Sequence, residues 1–301
     1  MKGRAWNKDQ WQMQSMIIPS IIFLAVFAYI PMYGVIIAFK DYNILSTMTS
    51  SEWVGLKYFK EFLNDPTLFN TLKNTVMING LGLLLAFPAP ILLALILNEL
   101  YSNKLKKIAQ TVSYLPHFLS WVIFGGIMLE VLAPGGVLSD MFQLIGMADE
   151  PINFMAKGNY FYIIFTILNI IKNVGFGSII YVAAISGVDQ QLYEAATVDG
   201  CNRFQKICYI TLPCIIGTII IMFIFQISAI LNTGYEQIIL LQNPLNLQFS
   251  ETIDTYVYKV GIKQSRMSYA TAVGILKSII SVGLMLMANK LSKKCVGKGL
   301  F

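Results

Sequence analysis

Charge is what this chain has least of. Lys, Arg, Asp and Glu make up 13% of its 301 residues against 56% apolar types, where an ordinary soluble domain is about one-quarter charged; a water-soluble globular fold is excluded. The single histidine, His117, has no second imidazole with which to hold a metal and no partner for general acid-base work, and beside Pro116 it reads as a helix-packing residue. The four cysteines, Cys201, Cys208, Cys214 and Cys295, lack the close pairs of a zinc site. No phosphate-binding loop is present either: the nearest approach, GILKS at 274–278, lacks the glycine before Lys277 and lies in an apolar run. Carboxylates are missing from the apolar runs apart from Glu130 at one end, which argues against an ion-coupled carrier, a class that places ionisable groups within the membrane. The chain has neither a catalytic constellation nor an energy source of its own.

Long apolar runs are what it does have. They lie near 16–39, 75–97, 112–133, 160–186, 211–231 and 270–288, each about the length that crosses a ~30 Å hydrocarbon core. Backbone groups in lipid must satisfy one another, so each run is expected to be helical, and the ten-residue alternation of a barrel strand is absent. The expected fold is an all-α integral membrane protein with six transmembrane helices in a single transmembrane domain, 1–301. Segments 1–15, 98–111, 187–210 and 289–301 hold 12 Lys or Arg in 66 residues, whereas 40–74, 134–159 and 232–269 hold 8 in 99. By the positive-inside rule the first set, with both termini, is cytoplasmic. No disulfide is expected for cysteines so placed. The net charge of +6 follows this bias and does not indicate nucleic-acid binding. The first run is too long for a signal peptide core and lacks a small-x-small cleavage site, so it reads as a retained helix with Trp6, Trp11, Tyr29 and Tyr33 suited to interfacial anchoring.

The loop LYEAATVDGCNRFQKICYITLP, Leu192 to Pro213, is polar and irregular between two apolar runs. It reads Glu194-Ala195-Ala196, three residues, Gly200, nine residues, Ile210, one residue, Leu212 and Pro213. A short helix from Asp189 would pack Leu192, Ala195, Ala196 and Val198 and project Glu194 and Asp199. Gly200 would then turn the chain where a Cβ is strained, and a second helix from Asn202 would lead to Pro213, which opens the fifth span. This spacing resembles the EAA signature of permease subunits of binding-protein-dependent ABC importers. NTVMINGLGLLLAFPAPILLALILNEL, TVSYLPHFLSWVIFGGIMLEVLAPGGVLSD, IIKNVGFGSIIYVAAISGVDQQLYEAATVDG, ETIDTYVYKVGI and YATAVGILKS resemble the LplB-like oligosaccharide branch of the maltose-permease superfamily.

The resemblance implies a type I importer permease fold in a bacterial plasma membrane and a pore subunit that is not itself an enzyme. It also implies a second homologous permease, two ATPase subunits carrying the ATP and Mg, an extracellular solute-binding lipoprotein and an oligosaccharide derived from a complex polysaccharide. Carried onto this sequence, it puts the EAA helix of the 187–212 coupling loop in a groove of the ATPase. Glu194 is then the charged contact and Gly200 the turn, with Ala195, Ala196, Asp199, Arg203 and Pro213 completing the coupling set.

Other segments leave alternatives. Trp53, Leu56, Phe59, Phe62 and Leu63 follow helical spacing in loop 40–74, as either an interfacial helix or packing against the chain's own spans. Loop 232–269, broken by Gln242, Asn243 and Pro244, is expected as an extracellular flap near the pore mouth. Small residues Gly80, Gly82, Ala86 and Ala89, and Gly274, Ser278 and Ser281, would let helices approach closely, some of them in the partner permease. In the fourth run Asn169, Lys172, Asn173 and Phe176 fall at i, i+3, i+4 and i+7. Such a face either holds helices together through Lys172 or lines a sugar path. In the second case the amides bind hydroxyls, Phe176 stacks on a pyranose, Lys172 attracts a uronate, and Gln226 and Asn232 complete the path.

Overall fold

The computed structural model describes residues 8–43, 47–297 and 299; Trp6 lies outside them. Among the described residues six helices are long and apolar enough to cross a membrane: Gln12–Phe39, Leu68–Glu99, Trp121–Leu144, Gly158–Ser186, Arg203–Ser228 and Met267–Lys294. They are called the first to sixth spans below. The chain forms two compact units, one made of the residues up to Asn64 with Lys259–Leu276, the other of Asp65–Tyr258 with the residues from Lys277 onward.

Prolines shape the spans in a repeated way. A proline has no N–H and its ring pushes away the carbonyl four residues back, so the turn before it must find other bonds. In the first, second and fifth spans that turn widens to a π-helix, at Ala25–Tyr29 before Pro31, Gly82–Ala86 before Pro88 and Ile207–Thr211 before Pro213. In each the residue preceding the proline donates to the carbonyl five residues earlier, Ile30 to Ala25, Phe87 to Gly82 and Leu212 to Ile207. The 112–133 run breaks outright. Helix Asn103–Tyr114 ends in a short 3-10 turn, Leu115–Phe118, and Ser120 caps a new helix, Trp121–Leu132, by accepting from the Ile123 N–H at 3.2 Å.

In the larger unit the fourth span is the central post, with Phe161–Ser186 packing against Pro88–Glu99 and Asn103–Tyr114. Phe161, Phe165, Leu168, Ile78, Phe124 and Ile238 form one buried cluster, and Ala94, Leu95, Tyr181, Ile185 and Ile215 a second. Lipid tails are as apolar as these side chains, so close packing rather than water expulsion holds the helices. The closest approach is at Gly175, where a Cβ would lie 2.0 Å from the Ser113 carbonyl oxygen; at Gly177 it would meet Pro90 Cγ at 3.1 Å. At Gly80, Gly82 and Gly274 it would meet nothing within 4 Å among the described residues. Because the atom facing Gly175 is backbone and cannot rotate aside, Gly175→Ala should cost about 1–3 kcal/mol. The variant is expected to melt several degrees lower by size-exclusion stability assay; an unchanged midpoint would disprove this packing.

The smaller unit organises loop 40–74. Residues Lys40–Asp41 pair antiparallel with Glu52–Trp53, and helix Lys57–Leu63 buries Tyr58, Phe59 and Phe62 while Trp53, Leu56 and Leu63 remain exposed. The apolar stripe is thus split, its aromatic half packing on the chain itself. Phe39 stacks on Trp53 at 5.7 Å, and the Tyr42 N–H donates to Ser268 Oγ at 3.0 Å. The Tyr58 hydroxyl donates to Asp41 Oδ1 at 2.6 Å. That bond, with Lys57 alongside, holds the Asp41 carboxyl below its ordinary range, while burial and the same carboxylate push the Tyr58 phenol up to about 12. Arg266 pairs with Glu61 at 2.5 Å and lies over the Tyr269 ring.

Candidate functional site

A cavity of ≈ 360 Å³ opens among the second, fourth and fifth spans. Its polar lining is made of amides and hydroxyls: Asn79, Thr166, Asn169, Asn173, Gln226, Asn232, Thr233 and Gln237. Phe87, Phe165 and Tyr181 supply aromatic surface, and no lining residue is charged. The π turn before Pro88 belongs to the wall, since Gly82, Ala86, Phe87 and Pro90 all face the space. Four of the six path residues read from sequence, Asn169, Asn173, Gln226 and Asn232, are therefore together.

Lys172 and Phe176 are elsewhere. The Lys172 side chain is buried and its ammonium donates to the carbonyl oxygens of Pro116 at 3.1 Å and His117 at 3.2 Å, and to that of Leu119. The Pro116 carbonyl also accepts from the Leu119 N–H at 3.3 Å, whereas those of His117 and Leu119 have no backbone donor among the described residues; the cation also lies 5.4 Å from the Trp121 ring centre and 5.6 Å from that of Phe124. Phe176 stacks on the His117 ring with centroids 4.0 Å apart and planes 5° apart. Neither side chain lines the cavity; both meet the turn around Pro116 that precedes the third span.

Several lining groups escaped the sequence reading. Asn79 is an amide within an apolar run, a signal as good as that of Gln226, whereas Gln237 follows Glu236 in loop sequence and carries no such signal. The turn after the fifth span carries Thr233 and Gly234, whose N–H groups donate to Asp254 Oδ2 at 2.8 and 3.2 Å. Asp254 also pairs with Lys277 of the sixth span. Lys277 was legible as an ionisable residue in an apolar run, but its partner sits in loop sequence and is supplied by the fold.

Between the fourth span and Pro213 lie the helix Gln190–Val198 and the first turns of the fifth span, which starts at Arg203, so Pro213 sits inside that span instead of opening it. Asp189 caps Gln190–Val198, accepting from the Gln191 N–H at 3.0 Å. The helix closes in a Schellman motif: the Cys201 N–H donates to Ala196 O at 2.9 Å and the Gly200 N–H to Thr197 O at 3.1 Å, with Gly200 at φ +77°. Asn202 and Gln205 then form a reciprocal capping box for Arg203–Lys206. Ala196 is buried, whereas Glu194, Ala195, Asp199, Gly200, Arg203 and Pro213 are exposed. Exposed apolar side chains surround Glu194 in sequence, among them Val198 at 88%, Phe204 at 73% and Tyr209 at 79%. A Cβ at Gly200 would touch nothing within 4 Å among the described residues, so within this chain substitution there acts through the backbone. An L-residue in this conformation costs about 1–2 kcal/mol and a β-branched one more. Gly200→Val should therefore reduce uptake more than Gly200→Ala; equal uptake by the two would contradict it.

Comparison with known proteins follows the same outline. Residues 86–296 match the family described as binding-protein-dependent transport system inner membrane component. The chain is 41% identical over 305 residues to protein LplB of Bacillus subtilis (strain 168), covering 100% of this chain and 95% of that protein. To the polygalacturonan/rhamnogalacturonan transport system permease protein YteP of the same organism it is 42% identical over 287 residues, covering 95% and 89%. Among solved structures it is similar to a chain of a bacterial alginate ABC transporter in complex with an alginate pentasaccharide-bound periplasmic protein. The TM-score is 0.87 at 38% identity, over 97% of this chain and 98% of that one.

Proposed function

Because the chain belongs to the binding-protein-dependent transport system inner membrane component family and has the type I importer permease fold, we propose that it forms half of the path for ATP-driven uptake of an oligosaccharide derived from a complex polysaccharide. It is a multi-pass membrane permease subunit of a sugar importer, not an enzyme. The other half is a second homologous permease. Two ATPase subunits carry the ATP and Mg and dock on the 187–212 loop, where Glu194, Ala195, Ala196, Asp199, Gly200, Arg203 and Pro213 form the coupling element. An extracellular solute-binding lipoprotein delivers the sugar. The lysine and arginine distribution supports cytoplasmic termini and a cytoplasmic coupling loop.

The observation that carries this reading is the uncharged, amide-lined cavity between the second, fourth and fifth spans. Its volume falls within the roughly 300–1,000 Å³ of small-molecule sites, and amides beside aromatic rings suit a ligand that is hydroxylated at its edge and apolar on its ring face. Asn169, Asn173, Gln226 and Asn232 bind hydroxyls in passing, with Phe87 or Phe165 as the stacking surface. Lys172 and Phe176 serve the same path indirectly, by holding the turn that leads into the third span against the fourth. The relatives named for galacturonan and alginate substrates support an oligosaccharide in this role.

The test is uptake of labelled oligosaccharide by vesicles containing both permeases and the ATPase subunits, with the binding protein supplied. Asn169→Leu combined with Gln226→Leu should lower uptake about tenfold, since two lost hydrogen bonds at about 0.5–1.5 kcal/mol each approach 1.4 kcal/mol or more. ATP-independent uptake driven by an ion gradient through this chain alone would overturn the importer reading.

A further inference from the structure

His117 touches the cavity through Asn173, which leads on to Asn169. His117 Nδ1 lies 3.0 Å from Asn173 Oδ1, and Asn173 Nδ2 donates to Asn169 Oδ1 at 2.6 Å. Both asparagines line the cavity and His117 does not. An amide oxygen carries no hydrogen, so the first of these bonds exists only when Nδ1 holds the proton. From that end the direction of the whole relay follows. Nδ1–H donates to Asn173, Asn173 donates to Asn169, and Asn169 is left with its two Nδ2 hydrogens, which meet no acceptor among the described residues. The opposite tautomer would turn both amides over and present the Asn169 oxygen instead.

The ring is held so that it cannot swing away. It is stacked on Phe176 at 4.0 Å, and the carbonyl of His117 itself accepts from the buried Lys172 ammonium at 3.2 Å. These two contacts give the conspicuous pair at 172 and 176 a shared task, which is to fix the imidazole against the fourth span.

We propose that His117 is a positioning residue for the transport path, setting the polarity of the His117–Asn173–Asn169 relay so that the cavity offers a hydrogen-bond donor to a uronate carboxylate of the passing oligosaccharide. A hydroxyl accepts or donates equally well and is indifferent to this polarity, whereas a carboxylate only accepts. An uncharged cavity can thus favour acidic sugars without binding them as tightly as a lysine would. The inference rests on the reading of this cavity as the sugar path.

The experiment measures KM for a uronate-containing and a neutral oligosaccharide with the complete importer in vesicles. His117→Phe keeps a ring to stack on Phe176 and removes the donor; the ratio of uronate KM to neutral KM should rise about tenfold, the scale of 1.4 kcal/mol of discrimination. His117→Asn, whose amide can return a donor near the Nδ1 position, should restore the ratio. Asn173→Leu interrupts the relay without touching the histidine or adding charge, and leaves Asn169 free to turn its oxygen to the cavity; it too should raise the ratio. If Asn169→Leu impairs both sugars while neither His117→Phe nor Asn173→Leu changes the ratio, the relay is wrong and the path stands. If Asn169→Leu and Gln226→Leu leave both sugars unaffected, the path reading itself fails, and the relay with it.

Discussion

Glu194→Lys is expected to abolish uptake while leaving the chain folded and inserted. Glu194 is exposed on the helix Gln190–Val198 and makes no hydrogen bond or ion pair among the described residues, so nothing within the chain is lost when it is replaced. Both residues are good helix formers, and the propensity difference is a few tenths of a kcal/mol at most. The effect must arise where the helix meets something else. On the proposed docking, the carboxylate faces a basic ATPase surface, and reversing its sign converts an attractive contact into a repulsive one. Truncating one partner of a buried charge pair at an interface costs about 2–5 kcal/mol, and reversal should do no less, so uptake should fall by roughly thirty-fold or more. Assembled permease pairs should appear at wild-type amounts, because the folded subunit is unaltered. Wild-type uptake by this variant would remove Glu194 from the coupling contact. Loss of the permease pair itself would show that the loop serves assembly instead.

Why the apolar runs were readable while the cavity was readable only in part comes down to geometry. A helix turns by about 100° per residue. Taking Asn169 as zero, Asn173 lies about 40° to one side, and Lys172 and Phe176 about 60° and 20° to the other. The four share a face about 100° wide, which is one stripe in sequence but two neighbourhoods in a packed bundle. The amide half meets the cavity, and the other half meets the turn around Pro116. Sequence spacing identified a face unsuited to lipid, but it could not divide that face because the divider is another helix. The same limit applies to Asp254 and Lys277, whose pairing joins residues from two separate segments. Local chemistry fared better. Gly200 was readable as a turn because the Schellman bonds close within six residues, whereas the run 112–133 reads in sequence as one helix and the break at Pro116 was missed, although a proline acts on its own helix. The π turns before Pro31, Pro88 and Pro213 were in principle legible too, since all three follow from one missing N–H.

Lys172→Met separates the two readings of the fourth-span face by the size of opposing terms. Methionine keeps the length and apolar stem and removes the ammonium, so insertion should become easier by about 2.5–3.5 kcal/mol, the cost of a lysine at mid-span. The folded bundle, however, loses the donor that serves the carbonyls of Pro116, His117 and Leu119. Each buried acceptor left without a partner costs about 1–3 kcal/mol, and hydrogen bonds to charged groups are at the upper end of their range. Pro116 keeps its bond from the Leu119 N–H, but the two acceptors left without a donor, together with the lost contacts to Trp121 and Phe124, exceed what a single carbonyl could recover by bending toward a neighbour. The variant should therefore reach the membrane at least as well as the wild type, yet yield few assembled transporters and a markedly lower melting temperature. Whatever uptake survives should fall alike for neutral and uronate-containing sugars when normalised to assembled protein, because the cation does not line the cavity. Normal assembly with selective loss of the acidic sugar would instead mean that Lys172 leaves its carbonyls during transport and meets the substrate itself.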